Sequence, residues 1–191
     1  MSAIQLLLAS GSPRRQELLA QLGYTFKRIV VDVEEQHQDH ESPAQYVQRL
    51  SQDKALAGVA ASEGNKPVLG ADTIVVVDDI ILEKPADFAD SHRMLRMLSG
   101  REHQVLTAVT LAKAGHIETQ LVTTKVWFKT LSEQEIELYW QSGEPQDKAG
   151  SYGIQGIGGK FIERIDGSYY AVMGLPLVET DIMVTAFLEL D

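Results

Sequence analysis

The feature that most constrains the fold is a pair of long alternating segments, His103 to Lys113 and Ile117 to Lys129, on either side of a turn at Ala114-Gly115. Apolar and polar residues trade places along both, as in strands with one face buried, and the short turn makes them a hairpin. A second, shorter hairpin is written at Asp78-Asp79, between Pro67–Val77 and Ile80-Ile81-Leu82. Around these hairpins the chain alternates strands with helices. Pro13 to Leu22 has helical periodicity with Gly23 as its stop, and Tyr24 to Val33 reads as a strand. Ser42-Pro43-Ala44-Gln45 and Ser132-Glu133-Gln134-Glu135 are capping boxes, opening helices that run to about Ala61 and Gly143. Asp87 to Leu98 is a helix stopped by Gly100, Lys160 to Ile165 a strand, and Pro176 opens a last helix through Leu177, Val178, Ile182, Val184 and Phe187. The expected fold is α/β: a mixed, strongly twisted sheet with flanking helices. The 191 residues suit a single domain, with two lobes around a central cleft.

Composition narrows the chemistry. There is no cysteine, which removes disulfides, thiolate metal sites and a thiol nucleophile, and fits a reducing compartment. Five histidines show neither His-x-x-x-His nor HExxH spacing, against a zinc hydrolase. A net charge of −10 argues against affinity for duplex nucleic acid, though not against a small phosphate ligand in a locally basic pocket. No apolar run reaches the roughly 20 residues of a membrane span, and the N-terminus lacks a signal-peptide pattern. A cytoplasmic protein with no membrane partner is expected.

Polar residues at the ends of apolar runs are the candidates for a site. Leu6-Leu7-Leu8-Ala9 stops at Ser10-Gly11-Ser12-Pro13-Arg14-Arg15. Ser12 suits an N-cap and Pro13 the first helical position. Arg14 and Arg15 then sit at the positive end of a helix, an arrangement that favours an anion in front of it. An ordinary strand–turn–helix with exposed arginines accounts for the same residues. Asp72 follows Val68-Leu69-Gly70-Ala71, where small residues leave room for a ligand, and it also fits a turn cap. Lys54 lies on the apolar side of its helix, directed into a pocket or snorkelling to water. Lys84, held extended by Pro85, is either a phosphate contact or a loop lysine. Glu34 and Glu35 at the end of a strand offer carboxylates for Mg2+ or Mn2+, or a solvated acidic patch. Ala149 to Gly159 holds five glycines, interleaved with Tyr152, Ile154, Gln155 and Ile157, which are able to contact a flat ring; Ser168-Tyr169-Tyr170 is a second candidate wall. The segment matches neither GxGxxG nor a Walker sequence. Together these residues describe metal-assisted phosphoryl chemistry on a nucleotide.

Six ordered motifs carry a resemblance. Leu8 to Leu19, Glu34-Glu35, Gly70-Ala71-Asp72-Thr73, Glu83-Lys84-Pro85, Lys148 to Gly156 and Gly174-Leu175-Pro176-Leu177 resemble the Maf family of nucleotide pyrophosphatases across almost the whole chain. The resemblance implies a fold similar to the inosine-triphosphate pyrophosphatase group. It also implies cleavage of a nucleoside triphosphate between the α and β phosphates, a divalent metal cation (Mg2+ or Mn2+) and a homodimer. By the same resemblance Asp72 is the proton acceptor, Lys54, Lys84 and Glu35 are catalytic, Glu35 and Asp72 hold the metal, and Ser10, Arg14 and Arg15 bind phosphate. Arg14, Thr73 and Gln155 match the branch acting on dTTP and UTP. A glutamine amide both donates to and accepts from the N3–H and carbonyl edge of thymine and uracil, whereas a glutamate only accepts. The expected role is housecleaning of the nucleotide pool. The alternative is a nucleotide-binding regulator of cell division without turnover.

Overall fold

The computed structural model describes residues 4–62 and 65–189. Seven strands form one mixed sheet: β1 (Leu6–Ala9), β2 (Phe26–Arg28), β3 (Val68–Val77), β4 (Ile80–Leu82), β5 (Glu102–Lys113), β6 (His116–Phe128) and β7 (Ile162–Asp166). Their order is β2-β1-β3-β5-β6-β7, with β4 paired to β3 off this path. β1 runs parallel to both β2 and β3, while β3–β4 and β6–β7 are antiparallel, so the expected mixed sheet is observed. Among the described residues six α-helices accompany it: α1 (Pro13–Gln21), α2 (Pro43–Ala60), α3 (Phe88–Leu98), α4 (Glu133–Gln141), α5 (Tyr169–Met173) and α6 (Leu177–Glu189).

Both capping boxes form, the Ser42 and Ser132 hydroxyls each accepting the N–H three residues on. The turn into β4 holds Asp78 and Asp79 at φ of 50° and 61°, the left-handed pair that a tight hairpin requires. One expectation is corrected, and the last helix forms where expected. The strand expected over Tyr24–Val33 is confined to Phe26–Arg28, because past Ile29, whose N–H still bonds to Leu8, the chain leaves the sheet and Val30 is 76% exposed. α6 buries Thr180, Met183, Val184 and Phe187, whereas Val178 and Ile182 point outward.

The chain divides into two compact units. The first comprises Met1–Asp72, Thr107–Val122 and Gly174–Asp191; the second comprises Thr73–Leu106 and Thr123–Met173. In the first unit α2 is pressed onto the sheet at two glycines. A Cβ on Gly58 would stand 2.6 Å from Val68 Cγ1, and one on Gly70 would stand 2.6 Å from the Ala55 nitrogen. Beside these contacts Ser51, Thr110, Thr119 and Gln52 join α2 to β5 and β6 through successive contacts of 2.8, 2.9 and 3.1 Å. In the second unit the core gathers Val75, Leu82, Leu95, Phe128, Tyr139, Tyr152 and Phe161.

Candidate active site

β1 is apolar and nearly fully buried, and it delivers Ser10 to its C-terminal end, just past Ala9, which pairs with Gly70. The Ser10 hydroxyl accepts the Ser12 N–H at 3.1 Å, folding the chain sharply into α1. Ser12 is the N-cap residue as expected, but through its carbonyl, which accepts the Gln16 N–H; its hydroxyl makes no capping bond. No acidic side chain occupies the first turn of α1, where Arg14 and Arg15 sit half-buried. Arg15 Nε donates to the Gly174 carbonyl at 2.8 Å, which fixes the guanidinium plane. Burial draws the Arg15 pKa below its ordinary value and Arg14 adds to that effect, while the nearby Asp72 and Glu35 carboxylates oppose it. An arginine remains charged at neutral pH even so. Two cations at a helix N-terminus form a strongly electropositive spot.

The closeness of α2 to β3 places the next group. Because Gly70 lets the helix backbone against the strand, Lys54 reaches Asp72 in the middle of that strand. Its ammonium donates to Asp72 Oδ1 at 2.6 Å and pairs with Glu35 Oε1 at 2.7 Å. The Lys54 and Asp72 side chains are only 12% and 11% exposed, against 48% for Glu35, so one carboxylate is sheltered and the other meets solvent. Lys54 therefore points into a charged cluster and does not snorkel, and Asp72 is a buried acid rather than a turn cap.

Glu34 and Glu35 do not end a strand. They stand in an irregular loop that α2 holds down. Tyr46 donates its hydroxyl to the Glu35 carbonyl at 3.1 Å. Arg49 spans the same loop, pairing with Glu41 at 2.7 Å and donating to the Gln36 carbonyl at 2.9 Å. Neither contact was foreseen from sequence. The helical spacing of Tyr46 and Arg49, three residues apart on one face, was the available signal.

The remaining candidates belong to the second unit. Thr73 follows Asp72 in β3 and so projects to the opposite face of the sheet, half-buried. Lys84 is exposed, with no hydrogen bond or ion pair among the described residues. Its loop is held by the Gly150 N–H, which donates to the Glu83 carbonyl at 3.0 Å. Gly150, at φ 66°, packs so tightly on Val75 that a Cβ would fall 2.7 Å from it. The glycine-dense segment is thus a set of packed 3-10 turns, with Gln155 exposed on it. Tyr152 is a correction: it is 5% exposed, bonded to His103 Nε2 at 2.8 Å and edge-on to Phe128, a core residue unable to meet a ring. Tyr169 and Tyr170 lie on α5, partly exposed and edge-to-face with each other.

The structure thus brings Asp72, Lys54, Glu35 and Arg15 into one charged cluster, with Arg14 and Ser10 beside them in the first unit, and carries Thr73, Lys84 and Gln155 on the second. Such a cluster suits hydrolysis of an anionic substrate: cations for the charge, and a sheltered carboxylate to take a proton.

A family model described as Maf-like protein matches residues 5–187. The chain is 72% identical over 196 residues to the dTTP/UTP pyrophosphatase of Photobacterium profundum, covering 100% of both chains. It is 68% identical to that of Aliivibrio fischeri, covering 96% of this chain and 98% of the relative. It is 63% identical to that of Vibrio cholerae, covering 98% and 100%. Among solved structures, the Staphylococcus aureus Ham1 protein overlaps 65% of this chain and 71% of its own, at 16% identity and a TM-score of 0.48. Among the described residues no helix is long and apolar enough to cross a membrane.

Proposed function

Since the chain belongs to the Maf-like protein family, we propose that it is a nucleoside triphosphate pyrophosphatase, hydrolysing dTTP and UTP to the monophosphate and pyrophosphate and so clearing them, with modified pyrimidine triphosphates, from the nucleotide pool. The observation that carries this reading is the Lys54–Asp72 contact at 2.6 Å, a sheltered carboxylate held beside an ammonium at the mouth of an electropositive helix end. A protein that only bound nucleotide would need the arginines but not that acid.

In the proposed reaction Ser10, Arg14 and Arg15 grip the phosphates. Asp72 orients a water molecule and takes its proton. One P–O bond of the α–β bridge breaks while one forms to the water oxygen, and pyrophosphate leaves. Lys54 and Lys84 offset the charge that builds on the oxygens. Gln155 meets the base. The Gln155 amide accepts from N3–H and donates to a carbonyl oxygen of thymine or uracil.

The residues present also fit a divalent metal. Glu35 and Asp72 already converge on a single cation, the Lys54 ammonium. No group of three His, Cys, Asp or Glu side chains stands ready to hold a metal ion among the described residues, so phosphate oxygens and water would fill the shell, as Mg2+ prefers. Held there, Mg2+ or Mn2+ would withdraw charge from the phosphate oxygens.

The test is incubation with a panel of nucleoside triphosphates and Mg2+ or Mn2+, with products separated by chromatography. Monophosphate and pyrophosphate from dTTP and UTP are expected. Orthophosphate and a diphosphate would overturn α–β cleavage, and tight nucleotide binding without turnover would make the protein a regulator.

A further inference from the structure

Gln155 sits on a turn that is gripped at both ends by one pair of side chains. The Gly156 N–H bonds to the Gly153 carbonyl at 3.4 Å, so Ile154 and Gln155 form the corners of that turn. On its entry side, the Gly153 N–H donates to the Tyr139 hydroxyl at 3.1 Å. On its exit side, Glu144 accepts the Ile157 N–H at 2.7 Å and the Gly158 N–H at 3.0 Å. The two grips are joined, because the Tyr139 hydroxyl donates to Glu144 Oε1 at 2.8 Å.

The glycines of the segment match this arrangement. A Cβ on Gly156 would collide with the Glu144 carboxylate, and one on Gly158 would stand 2.6 Å from the Tyr139 oxygen. Burial works against an ionised Glu144, but the two amides, the Tyr139 hydroxyl and Lys148 outweigh it and hold its pKa below the ordinary range. Tyr139 itself is fixed on α4, 1% exposed, with its ring edge-on to Phe161 at 5.0 Å.

We propose that Tyr139 and Glu144 are positioning residues for substrate selection, setting where the Gln155 amide meets the base; this rests on the reading that Gln155 contacts the base. A side-chain amide on an unheld turn would sample many positions, and the entropy of fixing it would weaken each hydrogen bond it makes.

The test measures kcat and KM for UTP and CTP with Mg2+ in Tyr139→Phe, Glu144→Gln and Gln155→Ala, and in Gln155→Ala combined with each of the others. Tyr139→Phe keeps the ring in its packing and removes only the hydroxyl, so it carries the test if the Glu144 variant folds poorly. The UTP-to-CTP ratio of kcat/KM is expected to fall about tenfold in each single variant, through KM, the size of one weakened hydrogen bond. In the Gln155→Ala background neither change is expected to lower the ratio further, since both act through that side chain. A ratio kept within about twofold by Tyr139→Phe and Glu144→Gln while Gln155→Ala lowers it would overturn the positioning role and leave the base contact standing. Additive losses, or losses in kcat alone, would overturn it as well. An unchanged ratio in Gln155→Ala would remove the base contact, and the positioning role with it.

Discussion

Gly70 of β3 lies so close to Ala55 of α2 that a Cβ on the glycine would stand 2.6 Å from the Ala55 nitrogen. The atom it would meet is backbone inside a helix, which cannot step aside alone. Lys54, the neighbouring residue, owes its reach to Asp72 to this closeness. Gly70→Ala is therefore expected to cost about 1–3 kcal/mol of stability by overpacking. It also moves Lys54 away from Asp72, so kcat falls even at temperatures where the variant is folded. Thermal unfolding, together with kcat measured well below the melting point, separates the two effects.

Asp72→Asn keeps the shape of the side chain and removes its ability to take a proton. Nucleotide affinity is expected to persist while the rate falls on the order of a hundredfold or more. Titration calorimetry and steady-state kinetics on the same preparation check this. A variant that keeps its rate would show that another group accepts the proton.

Arg49 holds the loop that carries Glu35. Its hydrogen bonds keep the Glu41 pKa below the ordinary carboxylate range, with burial working in the opposite direction. A depressed carboxylate stabilises the fold above its unfolded pKa, and that contribution is lost as pH falls through the folded value. Arg49→Ala is expected to lower stability by about 1 kcal/mol at pH 7 and to flatten the acid limb of a stability–pH profile. It also raises the Mg2+ concentration needed for half-maximal turnover, because Glu35 is no longer held in place.

His103 is 2% exposed and its Nδ1 has no hydrogen-bond partner among the described residues. Burial pulls its pKa down to about 3. An unfolded histidine titrates near 6.5, so between these values the unfolded state binds a proton that the folded state refuses. Stability from this site is full above about pH 6.5 and declines on the order of 1 kcal/mol per pH unit below it. His103→Gln, which keeps a partner for the Tyr152 hydroxyl, is expected to reduce that decline in urea melts between pH 7 and pH 4.

Local signals in the chain were strong where the chemistry is local. The Ser42 and Ser132 boxes and the Asp78-Asp79 turn each satisfy their own backbone within a few residues, so they could be read directly. Asp72 and Lys54 were legible as candidates, yet their meeting depends on Gly70, whose role shows only when α2 lies on it. The run at Ile29-Val30-Val31 has strand composition but no neighbour to pair with beyond Leu8, which sequence does not reveal. Tyr152 misled because 3-10 turns on both sides redirect its ring into the core. Arg49 and Glu41 are eight residues apart with a helix start between them, so the helical spacing of Tyr46 and Arg49 marks a shared face but not the loop residue it meets.

The hydroxyls that join α2 to β5 and β6 have one further consequence. Ser51 donates its single proton to the Gln48 carbonyl at 2.8 Å, so it must accept from Thr110. Thr110 has then spent its own proton and must accept from Thr119, which in turn accepts from the Gln52 amide. The circuit leaves α2 at Gln52 and returns to it at Gln48, with every proton facing the same way. A donor-only start and an acceptor-only end permit a single orientation, so removing any one hydroxyl breaks a directed chain and leaves its neighbours mismatched.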